Sequence, residues 1–170
     1  EVFRAHDIGY FFYNGGGDSA DTCFKMSQLS QTMGFPVQAI HVPKTVDNDL
    51  PITDCCPGFG SVAKYVAVSA LEASLDVRSM ARTSTKVFVL EVMGRHAGWI
   101  AAAGGLIEDH GIPVVVLFPE IAFDQAKFVA RVDQLVKTHG YCTVVVSEGC
   151  HTADGKFLAE SGLKDAFGHS

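Results

Sequence analysis

The stretch "KVFVLEVMGRHAGWIAAAGGLIED", from Lys86 to Asp109, is the most informative about the fold. Residues 86–92 are mostly apolar and β-branched, which is typical of a strand buried on both faces of a parallel sheet. A glycine-bearing polar segment follows, and a helical pattern rich in small residues begins at position 96. A strand, a polar turn and a helix in this order predict one unit of an α/β fold.

The same pattern recurs along the chain. Four more apolar runs predict strands at 9–14, 37–42, 114–118 and 142–147. Amphipathic or alanine-rich patterns predict helices at 18–34, 60–76, 96–109 and 123–140. Strands that alternate with helices indicate right-handed crossovers, and therefore a doubly wound α/β architecture of mainly parallel sheets with flanking helices in two Rossmann-like lobes.

Composition excludes several classes of function. An apolar share of 48% and a charged share of 19% are typical of an ordinary globular protein. The net charge of −6, without a run of Lys or Arg, disfavours nucleic-acid and membrane-surface partners. No signal peptide and no apolar run near 18 residues is found, so a cytoplasmic protein is expected. Five cysteines without a C-x-x-C spacing favour reduced thiols.

In doubly wound sheets, ligands bind beyond the carboxyl ends of the strands. The segments that follow the five predicted strands are all polar, glycine-bearing or charged: "NGGGDS", "PKTVDNDLP", "MGRHAG", "PEIAF" and "SEGC". We therefore expect these segments to form one crevice.

The first segment places Gly15 and Gly16 before a helix that opens near Asp18 and Ser19. Glycines let a backbone approach a phosphate closely, and a helix N-terminus offers free N–H groups to it. A tight turn in which Asp18 or Ser19 caps the helix is the structural alternative.

The second segment contains Asp47 and Asp49 on either side of Asn48. A carboxylate here could take the proton of a substrate hydroxyl that attacks phosphorus, and Lys44 could neutralise a phosphate. An Asx-turn that ends at Pro51 explains the same residues structurally.

The remaining segments carry further candidates. Arg95 after Gly94 is predicted at a helix start, where a cation opposes the macrodipole, so either an anionic ligand or an ion pair with Glu91 or another carboxylate is expected. Glu120 could accept hydrogen bonds from sugar hydroxyls or cap the helix near Phe123. Ser147 and Glu148 offer similar chemistry.

Long motifs resemble one family. "PKTVDNDL", "TDCCPGFGSVAKY", "EVMGRHAGWIAAA", "LFPEIAFD", "VVVSEG" and "DAFGH" are similar in content and order to the phosphofructokinases, most of all to the pyrophosphate-using branch. The resemblance extends from about Tyr10 to His169. It implies glycolytic phosphoryl transfer to the 1-hydroxyl of fructose 6-phosphate with Mg²⁺, in a dimer or tetramer of identical chains.

The resemblance also implies roles for residues. Asp47 is expected to be the catalytic base, with Asp49 and Arg95 beside it in the catalytic site. Lys86 occupies the place of a basic residue that reaches across a subunit interface to the 6-phosphate. The expected substrate-binding residues are Thr45, Lys86, Met93, Gly94, Arg95, Glu120 and His169.

Two residues distinguish the phosphoryl donors. ATP-using relatives tend to carry small residues where Asp18 and Lys44 stand, so a carboxylate that repels a nucleotide and a lysine that attracts pyrophosphate favour pyrophosphate over ATP. The expected donor-binding residues are Gly15, Gly16, Asp18, Ser19 and Lys44. Gly17 stands where relatives carry a magnesium-associated side chain, which leaves Asp18 as the candidate metal ligand.

Relatives also contain a glycine-rich phosphate loop before Glu1 and substrate-binding segments after Ser170, so the chain is expected to be an internal fragment that is inactive alone. We expect a partial donor-binding lobe at 1–57, a fructose 6-phosphate lobe at 58–156 and a segment at 157–170 that returns to the cleft. An ATP-dependent enzyme and a non-catalytic sugar-phosphate-binding regulatory subunit are the alternatives.

Overall fold

The computed structural model describes residues 1–159, in which helices and strands alternate after a short first helix. Along the chain the elements are α1 Val2–Ala5, β1 Tyr10–Gly15, α2 Gly17–Thr32, β2 Gln38–Pro43, α3 Phe59–Met80, β3 Val87–Val92, α4 Trp99–Gly105, a 3₁₀ helix Leu106–His110, β4 Val114–Leu117, α5 Gln125–His139 and β5 Cys142–Ser147.

The strands form two parallel sheets. β1 pairs with β2, so that Gly15 lies opposite Pro43. The second sheet has the order β3-β5-β4, with both neighbours parallel to β5. The predicted α/β class with parallel sheets and flanking helices is confirmed, and each predicted strand lies within one residue of its observed bounds. Parallel pairing brings the carboxyl ends of the strands in each sheet to one edge.

The three-stranded sheet is covered on both faces. On one face Val66 of α3 and Ile100 of α4 belong to one buried cluster with Val145 of β5. On the other face Leu135 of α5 packs with Val144 of the same strand. β5 is therefore the buried central strand that its continuous apolar sequence predicts.

The two-stranded sheet differs from the prediction that its strands are buried on both faces. Burial alternates along β1, and Tyr10 and Phe12 are 63% and 66% exposed. The opposite face is half-buried, and the ring of Phe3 in α1 lies 5.3 Å from that of Phe11. Among residues 1–159 no element covers the exposed face, so this apolar strand is packed on one side only.

Two helix boundaries also differ from the prediction. The helix predicted at 96–109 begins only at Trp99, after the N-cap Gly98, and gives way to the 3₁₀ helix at Leu106. Arg95 therefore lies in a turn, and the argument that it opposes a helix macrodipole was wrong. α3 continues past the predicted end at 76 because Val77 is buried in the core. No helix in the described part of the chain is both long and apolar enough to span a membrane.

Candidate active site

The loop after β1 and the segment after β2 lie side by side. The Lys44 N–H donates to the Gly15 carbonyl at 2.9 Å, which continues the pairing of the two strands beyond their ends. A Cβ added to Gly16 would lie 4.0 Å from the Lys44 carbonyl oxygen. The register thus brings the glycine loop and Lys44 together, as the sequence predicted.

The start of α2 is free of side-chain caps. Its N-cap is Gly16, and neither Asp18 nor Ser19 caps it, so the predicted structural alternative is wrong. Ser19 instead packs against Gly15, where an added Cβ would lie 2.1 Å from its hydroxyl oxygen. The first N–H groups of the helix consequently have no intrahelical partner, which is the arrangement that binds anions at helix N-termini. Asp18 lies exposed in this first turn.

In the loop after β2, hydrogen bonds of the residues next to Asp47 fix its backbone. The Asp47 N–H donates to the Thr45 hydroxyl oxygen at 3.0 Å, and Asn48 makes the side-chain bonds that fix the turn. The Asp47 Oδ1 atom is buried and, within residues 1–159, has no hydrogen-bond partner. An Asx-turn does not use that oxygen, so it does not explain why Oδ1 is buried without a partner. A buried acceptor without a partner is costly and points to a ligand.

Charges from both sheets act on Asp47. Its pKa is raised above the ordinary value, first by burial and then by the negative charges of Asp49 and Glu148, while Arg95 and His96 act in the opposite direction. Asp47 follows β2, whereas Glu148 follows β5 and Arg95 follows β3. The ends of β2, β3 and β5 therefore lie close enough for their charges to act on Asp47, and a shared crevice at these strand ends stays a prediction.

The turn after β3 is clamped against the end of β5. The Gly94 N–H donates to Glu148 Oε1 at 3.3 Å, and the Ser147 hydroxyl donates to the Gly94 carbonyl. Gly94 has a φ of +126°, and a Cβ there would lie 2.4 Å from the Ala97 carbonyl oxygen. A Cβ on Gly149 would lie 1.9 Å from the carbonyl oxygen of Arg95. Only glycines permit this approach of the two backbones.

The Arg95 side chain is left exposed at this turn. The three ion pairs found in residues 1–159 join Lys25 to Asp21, Lys127 to Asp124 and Lys137 to Asp133. The predicted alternative in which Arg95 pairs with Glu91 is therefore wrong. Met93 next to it is also exposed, and contact of either side chain with a substrate stays a prediction.

Glu120 binds the start of α4 and does not cap α5. Its Oε1 accepts the Gly98 N–H at 2.8 Å, whereas Asp124 caps α5 by accepting from the Lys127 N–H at 3.0 Å. The capping alternative for Glu120 was thus wrong. Whether its second oxygen meets a sugar hydroxyl stays a prediction.

Lys86 lies at the amino end of β3, at the opposite edge of the sheet from Arg95. Its ammonium group donates to the Ala81 carbonyl, and it shares a cavity with Arg78, Arg82 and His139. The chain thus does not bring Lys86 to its own crevice, and a role in a partner's site stays a prediction. His169 lies outside the described residues.

Glu120 was among the expected substrate-binding residues and Glu148 was not, yet of these two carboxylates Glu148 is the one whose charge acts on Asp47. A signal was present, because Glu148 directly follows the central strand, which ends in the middle of the edge.

The comparisons with known proteins agree with this geometry. The chain matches the family described as "Phosphofructokinase" over residues 1–169, and it belongs to that family. It is 73% identical over 172 residues to "Pyrophosphate--fructose 6-phosphate 1-phosphotransferase" of Methylococcus capsulatus, covering 100% of this chain and 41% of the relative. The relative of the same name in Halomonas elongata is 72% identical over 171 residues, with 99% and 41% covered.

Among solved structures, the crystal structure titled "Pyrophosphate-dependent phosphofructokinase" from Nitrosospira multiformis is 78% identical, with a TM-score of 0.77. That match covers 91% of this chain and 40% of the solved chain. The chain thus spans about two fifths of the length of the relatives that it matches, as 41% coverage of two of them shows.

Proposed function

We propose that the full-length protein transfers a phosphoryl group from pyrophosphate to the 1-hydroxyl of fructose 6-phosphate. The buried, unpartnered Oδ1 of Asp47, set between the edges of two sheets, carries this proposal. The names of the similar proteins support the same substrates.

In this reaction Asp47 acts as the general base. The 1-hydroxyl oxygen bonds to the near phosphorus of pyrophosphate while the bridging P–O bond breaks, and inorganic phosphate leaves. The hydroxyl proton passes to Asp47, whose raised pKa makes its carboxylate a stronger base than an ordinary aspartate. Positioning and charge stabilisation supply most of the catalysis of phosphoryl transfer.

The two sides of the crevice have separate tasks. Lys44 and the first N–H groups of α2 face the donor, because the pairing of β1 with β2 places them together. Arg95, Met93 and Gly94 face the sugar phosphate, with Glu148 beside them. Asp49 adds negative charge near Asp47 and thereby favours proton uptake by the base.

Magnesium fits this donor set. No group of three or more His, Cys, Asp or Glu that could hold a metal is found in residues 1–159, and Gly17 has no side-chain oxygen. Mg²⁺ commonly takes one or two carboxylates and completes its shell with waters and substrate phosphates. We propose Asp18 as that carboxylate, and the ion would neutralise charge on the pyrophosphate.

The residue boundaries of the lobes follow the same division of tasks. We propose 1–57 as part of the donor lobe, 58–156 as the fructose 6-phosphate lobe and 157–170 as a return segment. The full-length protein is proposed to be a cytoplasmic homo-oligomer, and the 170-residue chain by itself to be inactive, since it covers 41% of its relatives.

One assay tests the activity. Full-length protein is mixed with fructose 6-phosphate, Mg²⁺ and either pyrophosphate or ATP, and fructose 1,6-bisphosphate is measured. We expect product with pyrophosphate and much less with ATP. Product with ATP alone would establish the ATP-dependent alternative. Binding of the sugar phosphate without product would support a regulatory subunit, which is the candidate that Gly17 favours.

A further inference from the structure

The loop between β2 and α3 holds Asp47 in place through an asparagine in an unusual conformation. Asn48 has a φ of +59°, in the left-handed region. Asparagine tolerates this region better than most residues, because its short polar side chain can bond locally. The conformation turns the chain immediately after Asp47.

The Asn48 side chain joins the two ends of this loop. Its Oδ1 accepts the Cys56 N–H at 2.8 Å, and its Nδ2 donates to the Asp54 carbonyl at 3.3 Å. Cys56 is buried, and its carbonyl accepts the Phe59 N–H at 3.1 Å at the start of α3. The residue after Asp47 is thereby tied to the long helix that packs on the second sheet.

Asp47 itself contributes no side-chain bond to this arrangement. Its backbone is fixed by Thr45 on one side and by Asn48 on the other, while its Oδ1 stays free and buried. We propose that Asn48 is a positioning residue, which holds the carboxylate of Asp47 free and facing the crevice at the junction of the two sheets. This inference rests on the proposed role of Asp47 as the base.

Loss of the two hydrogen bonds made by the Asn48 side chain should shift the pKa of Asp47 in one direction. Burial raises the pKa of Asp47, Asp49 and Glu148 raise it further, and Arg95 and His96 lower it. A loosened loop admits water to Asp47, so its pKa moves down towards the ordinary value. A substitution that damages only an uncharged group facing the sugar phosphate, such as Met93, would instead raise KM without moving this pKa.

The test uses the full-length enzyme and Asn48→Gly, since glycine keeps the left-handed conformation and removes both hydrogen bonds. We expect kcat to fall about 10- to 100-fold, because misplacement of a reacting group by about 1 Å can have an effect of that size. The KM for fructose 6-phosphate should stay within about threefold, and the acid limb of the pH–rate profile should move to lower pH.

Two more variants complete the experiment. Asn48→Asp keeps the left-handed preference and the acceptor for Cys56, and its kcat should lie between those of wild type and Asn48→Gly. Thr53→Ala, an exposed change in the same loop, should match wild type. Thermal melting establishes that each variant is folded at the assay temperature. If Asn48→Gly is not folded at the assay temperature, Asn48→Asp provides the test instead. We expect a smaller fall in its kcat.

An unchanged kcat in the folded Asn48→Gly variant, or in Asn48→Asp where that variant decides, overturns the proposal. A rise in KM with an unmoved acid limb overturns it too, since that result describes general damage to the site. Absence of product from the wild-type enzyme is a different result, because it contradicts the proposed function itself.

Discussion

At the edge of the three-stranded sheet, the turn after β3 is clamped by the Gly149–Arg95 backbone approach and by two hydrogen bonds from and to Gly94. At the edge of the two-stranded sheet, Asp18 and Lys44 stand exposed, held through the backbone of their loops. The first edge suits a substrate whose position must be fixed. The charges of the second edge can change without disturbing the fold, so the proposed donor site can vary independently of the proposed sugar site.

Asp47 follows β2 and is acted on by charges at the ends of β3 and β5, so its removal should have the largest effect. We expect Asp47→Ser in the full-length enzyme to lower kcat by about 10²–10⁴, the usual contribution of a general base. The KM for fructose 6-phosphate should change little, because the groups proposed to face the sugar phosphate, Arg95, Met93 and Gly94, follow β3. Steady-state kinetics checks this, and an unchanged kcat would remove Asp47 from the role of base.

The clamped edge should be sensitive to a single methyl group. Gly149→Ala would place a Cβ 1.9 Å from the Arg95 carbonyl oxygen, so the two backbones must separate. We expect a loss of about 1–3 kcal/mol in the free energy of unfolding, typical of overpacking, and a raised KM for fructose 6-phosphate. Gly60→Ala in α3 is the matched control, since a Cβ there meets nothing within 4 Å. Equal stability of the two variants in denaturant titrations would show that the clamp is not tight.

Substitutions at the edge of the two-stranded sheet should leave the fold intact but change the preferred phosphoryl donor. Asp18→Gly combined with Lys44→Gly removes the carboxylate that we propose to repel a nucleotide and the ammonium that we propose to attract pyrophosphate. We expect the ratio of kcat/KM for ATP to that for pyrophosphate to rise roughly five- to tenfold, since unit charges about 4 Å apart in water interact by about 1 kcal/mol. The melting temperature should stay close to that of wild type. An unaltered donor ratio would refute this explanation of donor choice.

The sequence predicted the parallel strands well, because their apolar runs are sharply bounded by polar segments. It failed where tertiary structure decides. The exposure of Tyr10 and Phe12 depends on what covers β1, and no local pattern records this. The turn that holds Arg95 outside α4 contains Gly94, whose φ is +126°, and α4 begins only at Trp99.

The sequence predicted that the site lies at a set of strand ends, but it could not predict the geometry of the site. Residue type and position after a strand make Asp47, Lys44 and Arg95 candidates for the site. Glu148 was undervalued because a carboxylate in a loop resembles any solvated side chain until the register of the sheet is known. The contact between Gly149 and Arg95 joins residues far apart in sequence, so no spacing reveals it.

Convergence of the two edges on Asp47 is tested most directly by the pH dependence of kcat/KM in the full-length enzyme. A raised pKa means that Asp47 takes up a proton as pH falls through a value above 3.8, so the acid limb should lie above that pH. Glu148→Gln removes a negative charge that raises this pKa, and it should move the limb to lower pH, whereas Glu72→Gln on the exposed surface of α3 should leave it in place. An acid limb that Glu148→Gln does not move would contradict a shared crevice.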